Sequence, residues 1–200
     1  INNSDSLNVD LGMDDEKTYN YLLSLASKRS GISVEVIQDG MRRIAFHESK
    51  GDPKKIQVSN LYDKDGKIIG TKPGPGAGKY QYERGEHFGG SNAGRRAINR
   101  LYNYMGGDIT TGRAPDYYPS WLEGLFPKTS EGYLLTQGSV DASQLTDMQQ
   151  DMIFLADKLG QPGLDWEGFG SGEWAAKYHY GGPQQEEYAD KYNKDMIYYK

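Results

Sequence analysis

Several common kinds of protein are excluded by what this 200-residue sequence lacks. It has no cysteine, so it forms no disulfide framework, no thiolate metal site and no thiol nucleophile. It has no basic run, and its 23 Lys and Arg residues against 28 Asp and Glu residues give a formal net charge of −5. Because such a chain offers no patch to neutralise a phosphate backbone, we expect no nucleic-acid partner. No apolar stretch approaches the roughly 20 residues that cross a bilayer, so we also expect no membrane span.

Aliphatic residues are scarce, and this scarcity shapes the expected core. Hydrophobic residues make up only 36% of the chain, while Gly (26) and Tyr (16) are abundant. The sequence therefore predicts a globular domain with an aromatic-rich core and long Gly-rich loops. Residues 1–13 are polar and aperiodic and are interpreted as a leader, followed by a single domain over 14–200. Because the chain does not begin with Met, we expect it to be a piece of a longer protein.

Apolar residues recur at helical spacing in several segments, and one further segment has the pattern of a hairpin. The predicted helices run from Asp14 to just before Gly31, over Val34–Phe46, Ala93–Met105, Leu145–Leu159 and Glu173–His179, and from Gln184 onward. Thr146 and Gln149 have the spacing of a capping box. Residues 56–71 predict a β-hairpin that turns at Asp63-Lys64-Asp65-Gly66, and 106–140 predict irregular structure. The fold class expected from this pattern is α+β, mainly α, with a small β-hairpin.

The predicted face of the fourth long helix is formed by Met148, Met152, Leu155 and Leu159. The last helix is expected to carry Tyr188, Tyr192 and Ile197. Between the hairpin and the third helix, the segment Pro73-Gly74-Pro75-Gly76-Ala77-Gly78 predicts a loop, because Gly and Pro oppose regular structure. It lacks the G-x-x-x-x-G-K-[ST] spacing of a phosphate loop. Its backbone is suited to approach an extended ligand, or it is a plain surface loop.

No motif in the sequence predicts a metal ion or a cofactor. His47, His87 and His179 show no ligand spacing, and the 63–66 turn is too short for a calcium loop. We therefore expect neither a metal nor a cofactor.

Glu48 is the strongest candidate for a chemical role. It follows the apolar stripe of the second helix, where burial and the helix C-terminus both disfavour a negative charge and raise a carboxyl pKa. A protonated carboxyl at that position can donate its proton to a leaving oxygen. The other interpretation is a solvated residue at a helix end beside Lys50.

Three ordered segments carry a family resemblance. They are Ile44-Ala45-Phe46-His47-Glu48-Ser49-Lys50-Gly51-Asp52-Pro53, then Gly76-Ala77-Gly78-Lys79-Tyr80-Gln81, then Ala175-Ala176-Lys177-Tyr178-His179-Tyr180-Gly181-Gly182-Pro183. In this order the chain resembles the lysozyme-like lytic transglycosylases, the soluble lytic transglycosylase and goose-type lysozyme group, in the form carried by phage virion proteins. The resemblance spans residues 44–183 and implies a lysozyme-like fold.

The resemblance also implies roles for individual residues. Glu48 corresponds to the catalytic acid and base of the family, and Gln81 and Tyr178 to residues that line its sugar cleft. The predicted substrate-binding residues are Ser49, Gly78, Tyr80, Gln81, Glu83, Tyr178 and His179. His179 stands where the family commonly has Asn, and Glu83 is an additional acid without an assigned role.

The activity implied is cleavage of the MurNAc-GlcNAc β-1,4 bond of peptidoglycan to give 1,6-anhydro-muropeptides. Two alternatives stay open. A hydrolytic goose-type lysozyme would need a second carboxylate, and acidic residues near Glu48 in sequence allow it. A glycan-binding or structural virion domain would keep the fold without turnover. The expected partners are a peptidoglycan glycan strand and other parts of a virion or parent chain. The expected location is the virion, with action in the periplasm or cell wall, or the bacterial envelope.

Overall fold

The computed structural model, which describes residues 14–115 and 117–200, confirms the α+β, mainly α fold class over those ranges. The helices are α1 (Asp15–Ser30), α2 (Val34–Ser49), α3 (Ala93–Tyr104), α4 (Ser120–Leu125), α5 (Asp147–Leu159), α6 (Gly172–Ala175) and α7 (Gln185–Met196). The strands are β1 (Ile56–Tyr62), β2 (Ile68–Ala77) and β3 (Tyr82–Glu83), which form one antiparallel sheet in the order β1-β2-β3. The predicted leader, residues 1–13, lies outside the described residues.

Helix α5 is the centre of the core and packs against α1 and α3. Its capping box is confirmed, because the Thr146 side chain accepts from the backbone of Gln149 and the Gln149 side chain accepts in return. Every residue from 152 to 159 is buried. A helix buried on all sides belongs in the interior of a domain. The predicted apolar face is wrong at Met148, which is 37% exposed at the start of the helix.

Local signals fix the ends of the first two helices. Asp14 caps α1 by accepting from Lys17 N, and Gly31 ends it in the left-handed conformation, as its sequence position indicates. Helix α2 continues to Ser49, beyond the predicted end at Phe46, and stops where Lys50 adopts a φ of 59°. The prediction ended early because the apolar pattern stops at Phe46, whereas the polar side chains that follow find partners within the fold.

The hairpin of β1 and β2 is confirmed, with its turn held by the Asp63 carboxylate, which accepts from Asp65 N and Lys67 N. The loop predicted from residue 73 is wrong, because β2 extends through Pro73 and Pro75 to Ala77. Proline lacks only the donor, and the carbonyl of Pro75 still accepts from Arg84 N at 2.9 Å. At Gly74 a Cβ would lie 2.5 Å from Ser59 Oγ, so a larger residue there would have to displace the Ser59 side chain.

From residue 106 onward, the structure of the described residues agrees broadly with the predicted elements. Residues 106–140 are largely irregular, with α4 as the helix among them, and α6 continues as a π-helical turn (Ala176–Tyr180) that Gly181 ends at a φ of 63°. On α7, Tyr192 is buried, whereas Ile197 lies past the helix end and is 76% exposed, contrary to its predicted place on the helix. Within 14–115 and 117–200, the helices are too short or too polar to span a membrane.

Candidate active site

Glu48 lies in the last turn of α2 at the floor of a cleft. The apolar face of this helix, with Ile37, Met41 and Ile44 buried, continues along the same side to Glu48. Glu48 is four positions after Ile44, so the two side chains share one helix face. The carboxylate side chain is 16% exposed. The sequence thus places an acid at the edge of the core, open to the cleft on one side.

The cleft has a volume of about 680 Å³ and is formed by five segments of the chain. They are the end of α2, the β3 region, α3, the end of α5 and the π-helical turn. Six of the eight predicted site residues line it: Glu48, Tyr80, Gln81, Glu83, Tyr178 and His179. The structure therefore brings together residues that are up to 131 positions apart in the sequence, from 48 to 179.

The other two predicted site residues, Ser49 and Gly78, lie behind the cleft wall. The buried Ser49 hydroxyl donates to the carbonyl of Lys79 at 2.8 Å, with the carbonyl of Ala45 as an alternative acceptor at 3.1 Å. Gly78 has a φ of 77°, and a Cβ there would lie 2.4 Å from Gln150 Oε1. Both residues hold the turn that carries Tyr80 and Gln81 against the helices.

The environment of Glu48 favours its neutral form. Burial is the main cause and raises the pKa of the carboxyl from 4.5 to about 7. Two groups oppose burial by stabilising the anion: the Tyr188 hydroxyl, which donates to Oε1, and the charge of Lys158. Glu48 is therefore both protonated and ionised in comparable amounts near neutral pH, which suits a group that must give and accept a proton.

His179 is a neutral neighbour of Glu48. Burial, reinforced by the charge of Lys158, lowers its pKa to about 3. Its Nε2 lies 3.0 Å from the carbonyl of Tyr80 and 3.5 Å from Glu48 Oε1. In the neutral ring Nε2 must carry the proton to donate to that carbonyl. Nδ1 is then an acceptor, and it has no hydrogen-bond partner in the part of the chain that the structure describes.

Tyr80 and Gln81 contribute to the cleft in different ways. The ring of Tyr80 is 2% exposed, stacks on Phe154 and donates to Asp151 at 2.5 Å, so its phenol group belongs to the core. Its carbonyl is the group that holds His179. Gln81 has a φ of 50°, and its amide donates to the carbonyl of Gly78 at 2.6 Å.

Glu83 is a second carboxylate in the same cleft. It lies on β3, is half-buried, and accepts from Ser91 N at 2.6 Å. Tyr178 lies at the other side, where its ring packs against Trp174 with centroids 5.3 Å apart. An aromatic face and a polar wall in one open cleft suit a sugar polymer.

Sequence reasoning missed the cationic part of the cleft. Asp157 receives Arg100 at 2.6 Å and Lys158 at 3.2 Å, with Arg96 at 3.6 Å. Arg96 and Arg100 are four residues apart on α3 and so share a face, which is the one signal that the sequence offers. Tyr188 was also missed as a partner of Glu48, because its hydroxyl reaches the site from a distant helix. Across the described ranges, His, Asp and Glu residues form no group of three or more able to hold a metal ion.

Comparisons with protein-family models, with curated proteins and with solved structures gave no significant match. The functional interpretation therefore depends on the geometry of this site and on the three motifs that frame it.

Proposed function

We propose that this chain is a peptidoglycan lytic transglycosylase with a lysozyme-like domain and Glu48 as its single acid and base. The observation that carries the proposal is the raised pKa of Glu48, about 7, at the floor of an open cleft. A carboxylic acid that is still protonated near neutral pH can protonate a glycosidic oxygen, which an ordinary solvated glutamate cannot do.

In the proposed reaction Glu48 acts first as a proton donor and then as a proton acceptor. Neutral Glu48 donates its proton to the glycosidic oxygen as that bond breaks and positive charge develops at the anomeric carbon. The carboxylate that remains then accepts the proton of the sugar's own C6 hydroxyl, whose oxygen bonds to the anomeric carbon. The products are a new chain end and a 1,6-anhydro sugar. No water is consumed, and Glu48 regains its proton.

The neighbours of Glu48 fit both halves of this cycle. Burial favours the acid before bond cleavage, while the Tyr188 hydroxyl and the charge of Lys158 favour the carboxylate formed by it. His179 is held neutral and donates to the Tyr80 carbonyl, so it adds no charge beside the reacting centre. Because these influences on Glu48 oppose one another, they support its role as an acid and then as a base within one turnover.

A hydrolytic lysozyme is a second candidate, because Glu83 lies in the same cleft. Hydrolysis normally requires a second carboxylate, at about 5–5.5 Å as a nucleophile or about 6.5–9.5 Å as a base for water. The side chain of Glu83 accepts from Ser91 N, which fixes its orientation in the cleft.

The substrate and location go with the activity. The proposed partner is the glycan strand of peptidoglycan, and the proposed setting is a phage virion acting on the cell wall or a bacterial envelope. No cofactor is required by the mechanism.

Digestion of purified peptidoglycan followed by mass spectrometry tests the proposal. Anhydro-muropeptides, lighter by one water than reducing-end products, are the expected result. Glu48→Gln should lower the rate by about 10²–10⁴, the contribution of a general acid. Glu123→Gln, which removes an exposed carboxylate on α4, is the matched control and should leave the rate unchanged.

Glu83→Gln separates the two enzyme classes, since it should leave a transglycosylase active and disable a lysozyme. Reducing-end products would support the lysozyme instead. Intact sacculi would contradict both and indicate a glycan-binding or structural domain.

A further inference from the structure

The cleft carries a cationic cluster although the chain as a whole is acidic, with a net charge of −5. We use "cationic cluster" for Arg96, Arg100 and Lys158 around Asp157. All four residues line the cleft. Three cations therefore surround one carboxylate, and the mechanism of bond cleavage uses the charge of only one of them, Lys158.

The single carboxylate cannot neutralise the cluster. Asp157 is 2% exposed and divides its oxygens between Arg100 at 2.6 Å, Lys158 at 3.2 Å and Arg96 at 3.6 Å. Arg100 and Lys158 are largely enclosed, whereas the side chain of Arg96 is 54% exposed. The arrangement leaves positive charge directed at the open cleft, with Arg96 as its accessible part.

A short series of contacts joins the cluster to the reacting centre. Glu48 Oε1 lies 3.5 Å from His179, whose ring meets that of Tyr82 edge-on at 5.9 Å between centroids. The Tyr82 hydroxyl donates to Asp157 at 3.3 Å. The cluster is thus about two side chains away from Glu48 along the same cleft wall.

A second groove begins at the same two arginines. It has a volume of about 760 Å³ and shares Arg96 and Arg100 with the catalytic cleft. Asn99 also lines it, and its buried Oδ1 has no hydrogen-bond partner among the described residues. The cluster therefore lies where two concave surfaces meet, which gives room for a branch that leaves the bound strand.

We propose that Arg96 and Arg100, backed by Lys158, bind the carboxylates of the peptide stems attached to the glycan strand. This inference rests on the proposed function. The sugar backbone of peptidoglycan is uncharged, and its stems carry the carboxylates, so a cation excess in the cleft matches the stems and not the sugars. Guanidinium groups bind carboxylates through paired, charge-assisted hydrogen bonds. The stem projects along the second groove while the strand lies over Glu48.

Binding by Glu48→Gln protein tests this without turnover. The probes are soluble glycan strands with native stems and the same strands with their stem carboxylates chemically amidated, compared by calorimetry at low and high salt. Native strands should bind roughly tenfold more tightly than amidated strands, and added salt should reduce the difference. In the same background, Arg96→Gln should reduce that preference roughly fivefold, and Arg96→Lys, which keeps the charge but loses the planar fork, should reduce it by an intermediate amount. Arg113→Gln, an exposed arginine outside the cleft, is the matched control.

Three outcomes would overturn the inference. They are equal binding of native and amidated strands, an equal effect of Arg96→Gln on both probes, and no binding of native strands at all. Preferential binding of a phosphate-bearing wall polymer over the native strands would also overturn it, since it would assign the cluster to phosphate. Failure of the proposed function would be recognised by a different result, because wild-type protein would then release no fragments from peptidoglycan, whatever the binding results.

Discussion

The hydroxyl of Tyr188 on α7 donates a hydrogen bond to Oε1 of Glu48 on α2. Burial and the adjacent carboxyl group raise the pKa of Tyr188 well above its usual value, so the phenol keeps its proton and remains a donor. Its bond favours the ionised form of Glu48, whereas burial of Glu48 favours the neutral form. The pKa of Glu48 is therefore a balance between these two effects.

The expected pH dependence of the proposed activity follows from that balance. Glu48 must be protonated to act as the acid, so kcat/KM should fall about tenfold per pH unit above its pKa of about 7. His179, with a pKa of about 3, is neutral throughout the working range and adds no ascending limb. Initial rates on solubilised strands between about pH 4 and pH 9 measure this profile. An ascending limb near the ordinary carboxyl pKa of about 4.3 would instead point to a second ionised carboxylate.

Tyr188→Phe should move the descending limb of the profile to higher pH. The variant keeps the ring, which stacks on Tyr180 at 4.9 Å, and loses the donor that stabilises the Glu48 anion. We expect the pKa of Glu48 to rise by about one unit, in line with a hydrogen bond to a charged group. Tyr192→Phe is the control, because that hydroxyl donates to Gly170 and should leave the profile in place.

Glu48→Gln should stabilise the protein at alkaline pH. The folded protein holds the Glu48 proton up to a pKa of about 7, against 4.5 for the ordinary group. Below pH 4.5, Glu48 is protonated in both the folded and the unfolded protein. Between pH 4.5 and about 7 it ionises in the unfolded protein first, so the free energy of unfolding of the wild type falls as pH rises. The fall ends when Glu48 is ionised in both states. Glutamine does not titrate, so the variant should exceed wild type by at most about 3 kcal/mol above pH 7.

Urea unfolding of both proteins at pH 4 and pH 8 measures this difference. Near-equal free energies of unfolding are expected at pH 4, because a neutral carboxyl and a carboxamide are similar in size. A variant less stable than wild type at pH 8 would contradict the raised pKa.

Ser49→Ala should destabilise the fold and leave substrate affinity unchanged. Its buried hydroxyl donates to the Lys79 carbonyl, which links α2 to the turn before Tyr80. Loss of that donor should lower the free energy of unfolding by about 1–3 kcal/mol. Denaturant titration and KM are the two measurements. A raised KM at unchanged stability would instead support the substrate contact that the family resemblance implies.

Asp157→Asn should be strongly destabilising, because it leaves Lys158, Arg100 and Arg96 without their shared anion. Removal of one partner from a buried ion pair costs about 3–5 kcal/mol. Asp190→Asn, at an exposed position on α7, is the control and should change the free energy of unfolding by less than about 0.5 kcal/mol. A small effect of Asp157→Asn would mean that solvent already screens the cluster.

Much of the fold could be predicted from short-range signals in the sequence. The capping residues Asp14 and Thr146 and the terminator Gly31 have side-chain or backbone chemistry that acts within one helical turn, so their positions are readable without knowledge of the rest. The extension of β2 through Pro73 and Pro75 could not be predicted from the sequence, because it depends on pairing with β1 and β3.

The candidate site divides in the same way. Glu48 was found because the helical period of α2 marks its place at the core edge. Tyr188, Arg96 and Lys158 were not found, because their importance arises from contacts with residues far away in sequence. A residue's role in this cleft is set by which helix ends meet, and periodicity within one helix does not contain that information.

The position of α7 also shows which parts of the chain must meet to form the environment of Glu48. Helix α2, with Glu48, precedes Tyr188 by more than a hundred residues, and contacts of such long range are slow to form. The cover of Glu48 includes His179, 3.5 Å from its Oε1, and Tyr188, whose hydroxyl donates to it, and both residues belong to the last third of the chain. The protonation of Glu48 is thus a property of the assembled fold, to which residues more than a hundred positions away contribute, and not of helix α2 alone.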